Sequence, residues 1–105
     1  MINAEFFRNK DLISGFKISG HALYDDFGKD IVCAAVSSAV QLTANTITEI
    51  FGIDAGVSAE NNAIILKTAD SADDNLQKLY RGLLLHLETL SEDFKGTIKI
   101  KFTEV

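Results

Sequence analysis

The chain has 105 residues, 47% of them hydrophobic and 24% charged, with fifteen acidic against ten basic side chains and a formal net charge of −5. This balance fits one compact domain over residues 1–105 and excludes a disordered chain. The acidic excess argues against direct nucleic-acid binding and for attraction to a basic partner, and no run of about 18 consecutive apolar residues points to a membrane span. A single cysteine cannot staple the chain, and MINAEFFRNK lacks a signal-peptide pattern, so a reducing, cytoplasmic setting is expected.

Ile2, Ala4 and Phe6 alternate with Asn3 and Glu5, the period of a strand with one buried face. After a turn at Asn9-Lys10-Asp11, the run LISGFKIS sets Phe16 and Ile18 against Lys17 and Ser19, which predicts a second strand antiparallel to the first. It ends at Gly20. From His21 to Lys29 the pattern lapses, and Gly20 and Gly28 are placed to act as hinges of a mobile lid, although an ordinary connecting loop reads equally well from this stretch alone.

Asp30 is spaced as an N-cap for a helix reaching about Phe51. Ala35, Val36, Ala39, Val40, Leu42, Ala44, Ile47, Ile50 and Phe51 fall on one wide arc, with Ser37, Gln41, Asn45, Thr48 and Glu49 opposite and Cys33 at the border. Gly52 caps this helix, and Ile53 to Ser58 and Ala63 to Lys67 read as strands about a turn at Glu60-Asn61-Asn62. Asp70, Ser71, Asp73 and Asp74 then open a second helix from about Ala72 to Asp93, with Leu76, Leu79, Leu83, Leu84, Leu87 and Leu90 at helical spacing. Past Gly96, Ile98, Ile100 and Phe102 alternate with Lys99 and Lys101 as a last strand. The order ββαββαβ predicts an α+β domain: a mixed sheet with both helices on one face in two layers, three layers being the alternative.

A thiol near a helix N-terminus, with an imidazole on the preceding loop, meets two influences that favour the thiolate. Cys33 and His21 are therefore the candidate nucleophile and base, with the N–H of Cys33 and its neighbours as candidate oxyanion donors. Ser37, one turn on, could hydrogen-bond the sulfur or simply bond back to the Cys33 carbonyl. Asp30 could orient His21, but its spacing suits a cap better. His86, within LLLHL, shows no spacing that ties it to Cys33 and reads as a core or interface residue. One cysteine and two histidines offer no metal-ligand pattern, and no cofactor is implied.

The stretch GHA, a short loop, and then GKDIVCAAVSS resembles the signature of the ribosomal-processing cysteine protease family, called Prp or YsxB-like. Length and element order agree over essentially the whole chain. The resemblance implies a bacterial, homodimeric endopeptidase that removes a short N-terminal extension from the large-subunit ribosomal protein L twenty-seven, cutting after an aromatic residue. It carries the nucleophile onto Cys33 and the base onto His21. The basic precursor would be drawn in by Asp25, Asp26 and Asp30. The competing reading is a non-catalytic, ribosome-associated module in which the same loop and helix start grip a partner's peptide.

Overall fold

The computed structural model of the chain describes residues 1–21 and 30–105. Five strands form one mixed sheet in the order β3-β4-β2-β1-β5, and two helices complete an α+β domain. In chain order these are β1 (Ile2–Asn9), β2 (Leu12–Gly20), α1 (Ile31–Asn45), β3 (Ala55–Glu60), β4 (Ala63–Thr68), α2 (Asp74–Asp93) and β5 (Ile98–Glu104). The expected order ββαββαβ is what the chain adopts.

β1 and β2 form the predicted antiparallel hairpin, and β5 returns parallel to β1, from Ile2↔Ile98 to Arg8↔Glu104. The β1–β2 ladder is not regular. Phe7 faces Gly15 but Arg8 faces Ile13, so Ser14 is the extra residue of a bulge. This slip puts Ile13 among the buried residues with Phe16 and Ile18, where strict alternation would have put Ser14. Gln77 of α2 completes the site: its side-chain oxygen accepts from the Ile13 N–H at 2.9 Å, and its nitrogen donates to the Ile13 carbonyl at 2.8 Å. Gly15 is needed beside the bulge because a Cβ there would lie 2.2 Å from the Leu66 carbonyl oxygen.

One core joins Ile2, Ala4, Phe6, Phe16, Ile18, Leu66 and Ile98 of the sheet to Val32, Val36 and Val40 of α1 and Leu76, Tyr80, Leu83 and Leu87 of α2. Both helices therefore cover the same face, and the molecule has two layers. Tyr80 meets Phe16 edge-on at 6.3 Å between ring centroids, and its hydroxyl lies 3.0 Å from that of Thr68.

Three boundaries differ from the sequence expectation. The first helix continues past Asn45 as a π-helical turn, Thr46–Ile50. Thr43, Thr46 and Thr48 each donate a side-chain hydrogen bond to the carbonyl four residues back, which competes with the regular ladder there. Gly52, at φ 65°, stops the helix as expected. Its neighbour Ile53 donates its N–H to the Ile47 carbonyl, so β3 starts later than predicted, at Ala55. The β3–β4 turn is Asn61-Asn62, at φ 53° and 60°, the paired positive values of a tight two-residue hairpin.

The wide apolar arc of the first helix is only partly buried. Val36, Val40 and Ile47 are in the core, whereas Leu42 is 69% exposed and Ile50 76%. The stretch Ile31–Ile50 is long and apolar enough to cross a bilayer by length and composition. Its buried side makes it the core helix of this domain.

Candidate active site

β2 ends where the candidate site begins. Gly20 has φ 86°, and a Cβ there would come within 2.4 Å of the Met1 carbonyl oxygen. Only glycine suits both conditions, so the backbone is committed to one path just before His21. That role is local geometry at a strand end. Gly28, the other candidate hinge, lies outside the described residues, as do Asp25, Asp26 and the expected mobile segment beyond His21.

The chain returns at Asp30, which is buried and caps α1 as predicted. Its Oδ1 accepts from the N–H groups of Val32 at 2.9 Å and Cys33 at 3.1 Å, and its own carbonyl accepts from the Ala34 N–H at 3.1 Å. This corrects one expectation. The Cys33 N–H, assigned in advance to a developing oxyanion, is engaged by the cap. The capping carboxylate also places negative charge on the positive end of the helix dipole. Asp30 thus gives one carboxylate oxygen to the first turn of α1.

Cys33, partly exposed, stands on the first turn of α1, at the margin of the core cluster. Ser37 follows one turn later and is exposed; among the described residues its hydroxyl makes no bond back to the Cys33 carbonyl. His86 is exposed on α2 and does not line this site, so of its two readings, core or interface, the core one does not hold.

His21, Cys33 and Ser37 line one cavity of about 530 Å³ between α1 and the ends of β2, β3 and β4. Ile18, Val36, Val40 and Ile64 supply apolar wall, and Gln41, Glu60 and Asn62 add polar groups. Sequence reasoning missed the last two. They come from the β3–β4 hairpin, and nothing local in AENNA announces that its tip returns to the cysteine. Glu60, not Asp30, is the carboxylate that lines the cavity among the described residues.

The family model of the cysteine protease Prp matches residues 1–99. The chain is 27% identical over 107 residues to the ribosomal processing cysteine protease Prp of Bacillus subtilis, covering 95% of this chain and 96% of that one. It is 24% identical over 87 residues to the protein of the same name from Staphylococcus aureus, covering 81% and 82%. In structure it resembles Prp from S. aureus carrying a covalently linked product peptide, with a TM-score of 0.92 at 22% identity over 98% of this chain and 100% of that one. The same enzyme with a substrate peptide gives a TM-score of 0.86 at 21% identity over the same shares. At that identity the structures establish the fold, while the match over nearly all of the chain establishes descent. With its lone cysteine and a histidine lining one cavity, and a family match over nearly all of its length, this chain belongs to the Prp family and is a cysteine protease.

Proposed function

We propose that the protein is an endopeptidase that removes the N-terminal extension of a ribosomal protein of the L twenty-seven type, with Cys33 as nucleophile and His21 as base. The observation that carries this reading is the shared cavity: His21 and Cys33 both line it, beside an apolar surface of Ile18, Val36, Val40 and Ile64 that can seat a bulky residue. The Cys33 thiolate attacks the scissile carbonyl, His21 takes the thiol proton and returns it to the leaving amine, and water then hydrolyses the thioester. Ser37 lines the same cavity and is the candidate donor to the oxyanion or the sulfur, while Asp30 supports the site by holding the first turn in place. Gly20 fixes the path of the backbone into His21.

Two further features belong to this reading. Ile31, Leu42 and Ile50 leave apolar surface along the outer side of the first helix, which supports a homodimer. Glu60 at the cavity supports attraction to a basic precursor, screened over about 8 Å at physiological salt. Cleavage of the full-length precursor is expected to fall with salt more steeply than cleavage of a short neutral peptide. Light scattering showing a monomer would remove the dimer.

The deciding experiment incubates a synthetic junction peptide with the parent, Cys33→Ala and His21→Ala. The parent cleaves at one bond, and Cys33→Ala loses at least about 10³-fold. Cleavage by Cys33→Ala at the parent rate would eliminate the thiol mechanism. Binding without cleavage by the parent would favour the peptide-binding module.

A further inference from the structure

The helices cover one face of the sheet and leave the other to solvent, and the register shows what that face carries. Lys99 pairs with Asn3, and Asn3 with Ser19. Lys101 pairs with Glu5, and Glu5 with Lys17. Phe7 pairs with Gly15, and Gly15 with Lys67, whose Nζ lies 5.0 Å from the centre of the Phe7 ring. Asn3, Glu5, Lys17, Ser19, Lys99 and Lys101 line a shallow depression of about 250 Å³. Four lysines thus share this face in a chain whose net charge is −5. Glu5 lies among them, accepting from the Thr103 hydroxyl and 3.8 Å from the Lys101 ammonium, and the register sets a second carboxylate, Glu60, at the edge of this face through Ala63 and Ser19. Overall acidity conceals a local basic surface.

We propose that this open sheet face docks the phosphate backbone of RNA. Lys99 and Lys101 stand two residues apart on one strand, about 6.6 Å, and Lys17 lies two strand spacings across from Lys101, about 9.6 Å. Such a lattice suits the repeating charge of a phosphodiester chain, and Asn3 and Ser19 offer hydrogen bonds between the cations. An acidic protein would have to place separate carboxylates on the same lattice. The biological setting rests on the proposed ribosomal substrate, since ribosomal proteins lie against RNA, but the binding itself does not.

The test is fluorescence anisotropy with a labelled oligouridylate of about 20 nucleotides, titrated with salt. With four lysines engaged, log K against log salt is expected to fall with a slope of about −3. The Lys17→Gln/Lys99→Gln/Lys101→Gln variant should flatten the slope to about −1 and weaken binding at least tenfold at low salt, while cleaving a short neutral peptide at the parent rate, which also shows that it folds. A parent that does not bind, a slope unchanged in the triple variant, or displacement by polyglutamate at lower charge concentration than by unlabelled RNA would overturn the assignment. Anisotropy needs no cleavage, so failure of the protease reading and failure of this one are told apart.

Discussion

The two helices start alike and serve differently. Asp30 and Asp73 each accept hydrogen bonds from first-turn N–H groups, and each helix packs a stripe into the same core. α2 is the more regular: Leu76, Tyr80, Leu83 and Leu87 face inward, and charged residues such as Lys78, Arg81, Glu88 and Glu92 face water, with Leu85 an exposed exception. The first helix keeps apolar residues on its outer side, breaks into a π turn, and carries a thiol on its first turn. The contrast shows that a helix maintained for packing alone can be read from its stripe, while departures from the stripe mark where surface or chemistry is being served.

The largest effect expected along this contrast is in stability. Leu87→Ala should cost about 2–5 kcal/mol, because its side chain is fully buried against the sheet. Leu42→Ala, 69% exposed, should stay within about 0.5 kcal/mol in urea unfolding of the isolated protomer. A large loss at Leu42 in a protein shown to be dimeric would instead identify that stripe as the interface.

Next comes the entry to the site. Gly20→Ala forces a Cβ against the Met1 carbonyl at a positive φ, which should cost about 1–3 kcal/mol and lower kcat/KM through displacement of His21. Gly82→Ala, within α2 and with open space around it, should be neutral or stabilising by up to about 1 kcal/mol. Thermal unfolding compares the two directly.

The two caps sharpen the comparison further. Asp30→Ala and Asp73→Ala should each cost about 1 kcal/mol, since each removes side-chain acceptance at a helix start. Only Asp30→Ala should reduce peptide cleavage at temperatures where both variants are folded, because its cap holds the Cys33 N–H. Equal activity losses would make Asp30 no more than a stabiliser.

The smallest effect is a pH dependence in α2. Burial raises the Tyr80 phenol above its usual value of 10.0, partly offset by the Thr68 hydrogen bond. Below about pH 10 the phenol is protonated in both folded and unfolded chains. Above it the unfolded chain releases the proton first, so stability should decline until the folded phenol also titrates. Tyr80→Phe should flatten that decline in denaturant titrations between about pH 9 and 11. An unchanged slope would assign the alkaline loss to other groups.

Much of this protein was legible in its residues. Period-2 alternation located β1, β2 and β5, aspartates spaced as caps located both helix starts, and Gly52 located one helix end, because each of these depends on contacts within a few residues. The chemistry of a lone cysteine beside a helix start was equally local. What the tertiary structure decided is what joins distant segments. It alone determined the bulge that turns Ile13 inward under Gln77 and the return of the Asn61-Asn62 hairpin to the cavity. It also sorted the charges, setting four lysines on the open face of a net acidic chain. Strand order and register control that sorting, and both are fixed by packing between residues far apart in the chain, to which composition and periodicity are blind.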